Sequence, residues 1–175
     1  MDIAADSVLA GLEEALRRGP AAAAVQSALG RVLAELAASG RQMEWEILPL
    51  EVFGGTLPGT IRSCWVFAIR AGAETTPERH PNSHQRSLSL SGGGIFEIRA
   101  RGWLVHPLVS EPEGASERRW VSIPPATWHR LRAGTAPWGM VSFHTVPPPD
   151  LVEEKPVDPA DLDGPTRGET YTGRR

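Results

Sequence analysis

The sequence predicts a mainly β domain, a sandwich or closed barrel of short strands, preceded by a helical hairpin. Three observations carry this. Between Glu44 and Val146, short runs of β-type residues alternate with Gly and Pro. Five of the six tryptophans and all four phenylalanines lie inside or beside those runs. Upstream of residue 41 the period changes to that of amphipathic helices.

Residues 1–40 read as two helices. In the first, Val8, Leu12, Ala15 and Leu16 form one stripe, and Asp6 or Ser7 can cap its start. Gly19-Pro20 ends it, and Pro20 suits the first turn of the second helix. In that helix Val25, Leu29, Val32, Leu33 and Leu36 recur at helical spacing, and Gly40 is a natural stop. Such a pair is not stable alone. Its stripes need each other, the following domain or a second chain.

The β-type runs are Glu44–Leu50, Arg62–Ala71, Gln85–Leu90, Ile95–Ala100, Trp103–Leu108, Trp120–Ile123 and Gly139–Val146. Ser63 to Ile69 is apolar at nearly every position, which predicts a strand covered on both faces. Ser87-Leu88-Ser89-Leu90-Ser91 alternates strictly, which predicts a strand with one buried face. The three glycines Gly92, Gly93 and Gly94 read as a tight turn, because no Lys-Ser or Lys-Thr and no helix follow them. Residues 147–175 are rich in proline and acid and poor in large apolar side chains, so an extended or disordered tail is expected. The paired Glu153 and Glu154 fall in that tail and receive no catalytic role.

The chain has 175 residues, a length that fits one domain with terminal additions. The formal net charge is −3, and basic runs stop at two residues, which argues against a nucleic-acid or anionic-membrane partner. The single cysteine, Cys64, excludes an intrachain disulfide and a cysteine-based zinc site; within an apolar strand it is expected to be an inert buried thiol. The acidic start lacks the pattern of a signal peptide, and no run approaches membrane-span length. A cytoplasmic location is the default expectation.

Candidate chemistry centres on histidines. His80 and His84 lie in one segment that Pro77 and Pro81 keep from being helical. In a strand, residues 80, 82 and 84 share a face, so His80, Asn82 and His84 would point together. Neutral imidazole suits zinc, iron, nickel or copper. A third ligand must come from elsewhere, and His129 is the best candidate. His144 reads as a strand-end histidine able to line the same pocket, and His106, before Pro107, as structural. The competing reading for the set is polar residues that hydrogen-bond in a barrel mouth.

These residues resemble a known family. Gly72–Gly93 resembles the first cupin motif: a glycine, a His-x-His pair, a glutamate and a closing glycine. Trp120–Ala133 resembles the second, in which a proline stands five residues before a metal-ligating histidine, as Pro124 does before His129. The resemblance covers about 100 residues, from Trp45 to Val146, and implies a single cupin-type β-barrel (a double-stranded β-helix or jelly roll). It further implies a divalent metal, iron first with zinc, nickel or manganese as alternatives, on His80, His84 and His129. Two registers are open. With His80 as the first motif histidine, the second falls on Asn82, the glutamate near Arg86 and the glycine on Gly93. With His80 as the second, the first falls on Glu78, the glutamate on Gln85 and the glycine on Gly92. In the second motif, Ala126 stands where glycine is usual and Ala133 where asparagine often stands.

Arg86 constrains the reading, because a cation facing a metal at about 4 Å would repel it by several kcal/mol. Either Arg86 points away, or the pocket holds an anion in place of a metal. The first function class is therefore a metal-dependent cupin, dioxygenase-like, acting on a small molecule. The second is a metal-free cupin that binds a small anion through Arg86, Asn82 and the histidines. A third use, as an interaction protein, assigns the helical hairpin to a homodimer or another partner surface. Glu78 and Gln85 are further candidates for ligation or for lining the pocket.

Overall fold

A computed structural model describes residues 7–111 and 114–170. The proposed cap residue Asp6 lies outside them. Two helices come first, α1 (Ser7–Arg17) and α2 (Gly19–Ser39). Pro20 occupies the first turn of α2, and Gly40 closes it in the left-handed conformation at φ 70°. No helix among the described residues is long and apolar enough to cross a membrane.

Among the described residues ten strands follow: β1 (Met43–Leu48), β2 (Ser63–Ile69), β3 (Gln85–Ser91), β4 (Gly93–Arg99), β5 (Trp103–Val109), β6 (Trp120–Ile123), β7 (His129–Ala133), β8 (Trp138–His144), β9 (Val152–Pro156) and β10 (Thr166–Thr170). They form a five-stranded sheet in the order β1-β2-β8-β3-β6, a three-stranded sheet β5-β4-β7 and the hairpin β9-β10. All pairings are antiparallel.

The layers follow from the period-2 alternation of the five-stranded sheet. In β2, Cys64, Val66 and Ala68 join the helix-facing core with Val25, Leu29, Val32 and Leu36 of α2. Ile69 and the partly buried Phe67 join a second core between the sheets, with Phe96, Leu108, Leu131, Trp138 and Met140. The strand is thus covered on both faces, which is why its sequence is apolar throughout. The helical stripes find their cover on each other and on this sheet.

β3 departs from expectation. Leu88 and Leu90 face the helices, while Ser87 and Ser89 are buried on the other side of the strand. Both faces are covered, and the polar one looks into the barrel. The serines are satisfied there: Ser87 Oγ bonds Ser142 Oγ at 2.7 Å, and Trp138 Nε1–H donates to Ser89 Oγ at 2.9 Å.

The expectation of an extended or disordered tail also needs correction. Residues 152–170 form the β9–β10 hairpin, with Leu151 and Glu153 almost fully buried. Composition misled here because the hairpin is held by backbone pairing and polar clamps more than by an apolar face. Arg79 and Glu154 exchange both backbone hydrogen bonds, at 3.0 and 2.9 Å, and their side chains pair at 2.7 Å. β7 was missed as well, because HRLRA carries three basic or polar side chains in five residues.

Candidate metal centre

The segment 74–80 runs along the free edge of β7. Thr75 and Glu78 donate backbone N–H groups to Leu131 and His129, and His129 returns a bond to Glu78, the last two at 2.8 Å. Glu78 and His129 are therefore direct cross-strand neighbours on one face. Two residues on, His80 shares that face. The ligand atoms of Glu78, His80 and His129 lie within 4.8 Å of one another, and all three residues are buried.

Hydrogen bonds set the tautomers of both imidazoles. His80 Nδ1 lies 3.0 Å from the Val152 carbonyl, and His129 Nδ1 lies 3.1 Å from the Thr127 carbonyl. A carbonyl only accepts, so each Nδ1 carries a proton, and in the neutral form of either ring Nε2 is left with its lone pair. His129 Nε2 is buried without a hydrogen-bond partner and sits 3.7 Å from Glu78 Oε1. Complete burial and the neighbouring His80 push the His129 pKa from 6.5 down to about 3, so the ring is neutral at physiological pH. The same causes, burial first, hold His144 well below its usual value.

Gln85 and His144 face the same cavity, together with Met43, Trp45, Trp65, Phe67, Leu131 and Ser142. Gln85 Nε2–H donates to Ser87 Oγ at 3.1 Å, and its Oε1 is buried with no hydrogen-bond partner. The His80 and His144 rings meet edge to face at 5.0 Å. Ser83 and Ser142 hydroxyls flank the two nitrogens of His144 at 3.3 and 3.4 Å. The free space is about 30 Å³, room for one or two water-sized bodies.

Glu78, His80 and Gln85 converge on one cavity, as in the register that makes His80 the second motif histidine. His84 is not brought to the cluster. It precedes Gln85, which faces inward, so alternation turns it outward, where its Nε2 bonds Ser122 Oγ at 2.9 Å. Arg86 lies on that outward face too, paired in register with Ser122 and Phe143, and Phe143 belongs to the helix-facing core. The arginine thus points away from the cavity, which removes the repulsion it would impose there. Asn82 does not line the cavity either. Its side chain donates to the Asp150 carbonyl at 2.7 Å and accepts from Val152 N–H at 3.3 Å. His106 is structural, bonded to the Trp120 carbonyl at 3.0 Å.

Sequence reasoning gave no role to Glu153. The Arg79–Glu154 pairing puts Glu153 across from His80 on the inner face, and the carboxylate is almost fully buried, 3.1 Å from Lys155 Nζ. Only the long-range pairing of residues 79 and 154 reveals this.

The residues fit a divalent cation. Two lone-pair atoms, His129 Nε2 and Gln85 Oε1, are buried without a hydrogen-bond partner, and the first lies 3.7 Å from Glu78 Oε1. Burying such acceptors unpaired costs about 1–3 kcal/mol each, which a Lewis acid would offset.

Solved structures give the architecture a name. A point mutant of Bacillus subtilis oxalate decarboxylase aligns with a TM-score of 0.51 at 15% identity, over 66% of this chain and 28% of that one. The coconut allergen cocosin aligns with a TM-score of 0.50 at 19% identity, over 66% and 28%. The formate complex of Lactobacillus farciminis oxalate decarboxylase gives 0.47 at 17% identity, over 61% and 30%. The chain spans less than a third of the length of each of these proteins. No family model and no curated protein matches the sequence.

The chain has the cupin fold, with an N-terminal helix pair and a buried Glu-His-His cluster in its interior. The neighbours include an oxalate decarboxylase and a coconut allergen, so the fold by itself assigns no activity.

Proposed function

We propose that this chain is a metal-dependent cupin that binds one divalent transition metal through Glu78, His80 and His129 and acts on a small molecule at that centre. The observation that carries the reading is the buried, unpartnered Nε2 of His129, aimed at Glu78 Oε1 3.7 Å away. Two neutral imidazoles and one carboxylate form the donor set typical of non-haem iron(II) oxygenases, so iron and dioxygenase-like chemistry are the first choice. Iron(II) held by Glu78, His80 and His129 would supply Lewis-acid and oxygen-activating chemistry to a small substrate.

The chain's own residues account for the rest. The Thr127 and Val152 carbonyls hold both rings by Nδ1, which leaves the two Nε2 atoms for the metal. Gln85 Oε1 adds a neutral oxygen, which leaves the ligand charge at −1 from Glu78 alone. Trp45, Trp65 and Phe67 give the cavity an apolar wall that excludes water. With about 30 Å³ free, the substrate is small or engages the centre by one end. The metal-free anion reading draws on Arg86 and Asn82, and both side chains are engaged away from the cavity, which favours the metal reading.

The test is metal content of tag-free protein, beside Glu78→Ala, His80→Ala and His129→Ala. About one equivalent of iron per chain in the wild type, lost in all three variants, is expected. A wild type without metal after anaerobic reconstitution with iron(II), zinc(II) and manganese(II) overturns the reading.

A further inference from the structure

We infer that the C-terminal hairpin β9–β10 is the positioning element of the cavity: it holds His80 with Nε2 turned inward, and its docking is thermodynamically coupled to occupancy of the metal site. The coupling rests on the metal reading proposed above; the hold on His80 does not.

The contacts of the hairpin fall at or beside each candidate ligand. The Val152 carbonyl takes the Nδ1 proton of His80 at 3.0 Å. Asn82, two residues after His80, clamps the approach to that carbonyl from both sides, on Asp150 O and Val152 N. Arg79, between Glu78 and His80, is bonded to Glu154 through the backbone in both directions and through its side chain at 2.7 Å. Trp128, immediately before His129, donates Nε1–H to the Leu162 carbonyl at 3.1 Å, in the connection between β9 and β10. The Arg79 guanidinium lies over the Trp128 ring at 4.6 Å and ties the two ligand-bearing segments together. Glu153 faces inward opposite His80 and is almost fully buried.

With the hairpin docked, one tautomer and one ring orientation of His80 are selected. Undocked, His80 Nδ1 loses this acceptor, and the ring samples both tautomers and other rotamers. Supports of this kind are worth about 10- to 100-fold in metal affinity. Linkage is reciprocal, so an ion that needs the docked arrangement must stabilise the hairpin by the same factor.

The experiment compares the full-length wild type with Asn82→Ala, which loosens the clamp without touching the cavity. Val32→Ala serves as a control that loses stability in α2, on the other side of the sheet. Two quantities are measured: the ring ¹⁵N shifts of His80 in metal-free protein, and zinc(II) affinity by competition with a chelator. The wild type should show the Nδ1–H tautomer, and Asn82→Ala an averaged spectrum with affinity lowered about 10- to 100-fold. Val32→Ala should keep the wild-type values of both. An unchanged His80 tautomer in Asn82→Ala overturns the inference, as does an equal loss of affinity in Val32→Ala. If the wild type takes up no metal and the tautomer still responds to Asn82→Ala, the coupling is overturned with the metal reading, while the hold on His80 is supported.

Discussion

Lowering the pH of the metal-free protein should expose the strain of a neutral, buried His129. In the unfolded chain this ring titrates near 6.5; in the fold, burial and His80 bring its pKa to about 3. Between those values the unfolded state binds one more proton than the native state. Stability from this group is therefore fully present above about pH 6.5 and is lost as the pH falls toward 3, at about 1.4 kcal/mol per pH unit. From about pH 6.5 to about pH 4.5 the loss is roughly 3 kcal/mol, a large part of the ~5–15 kcal/mol of a typical domain. His129→Leu removes the titrating group and the orphaned Nε2, and forfeits one bond to the Thr127 carbonyl. Urea unfolding of metal-free wild type and His129→Leu across this range should give free energies that shift relative to each other by roughly 3 kcal/mol, in favour of the variant at low pH. Contributions of groups common to both proteins largely cancel in the difference. Parallel stability curves would refute the reasoning, because they would mean that His129 carries a proton-binding site in the native state as good as in water.

Two further outcomes are expected. Ala126 holds φ +59° in the turn before β7, a left-handed conformation that costs a residue with a Cβ about 1–2 kcal/mol, so Ala126→Gly should raise thermal stability by a few degrees, measurable by calorimetry. His84→Ala loses the 2.9 Å bond to Ser122 and about 1 kcal/mol of stability, and should leave the metal equivalents per chain unchanged in elemental analysis.

The fold was legible where burial and period agree. The helical stripes and the doubly apolar β2 each told which faces were covered, because few arrangements bury Val66 and Ile69 at once. β7 and the β9–β10 hairpin were hidden because their stability comes from partners far away in sequence. Glu78 bonds His129, and Arg79 bonds Glu154, across 51 and 75 residues by subtraction of their numbers. Local composition carries no trace of such pairings. The Ala126 position was visible in sequence as a missing motif glycine, and its positive φ gives the physical reason a glycine suits that place.

The candidate site was half legible for a related reason. His80 and His129 could be picked by residue type, whereas His84 was included on the assumption that residues 80 to 84 continue one strand. The chain turns after His80, where Ser83 N–H bonds the His80 carbonyl at 3.4 Å, and parity is lost between the two histidines. Parity restarts at Gln85, which is why Gln85 faces the cavity and Arg86 the helices. The serines of β3 make the same point energetically. A sheet selected for stability alone would carry apolar side chains on the barrel face of β3 as well, as β2 does with Phe67 and Ile69. Here the interior receives Ser87, Ser89 and Ser142, each bonded to a neighbour, beside Gln85 and His144. A hydroxyl buried with its bond made is nearly neutral for folding, whereas a leucine in its place would contribute about 1.5–3 kcal/mol. Stability is forgone along the inner face of this sheet, and that face lines the cavity onto which Glu78 and His80 open from the opposite side.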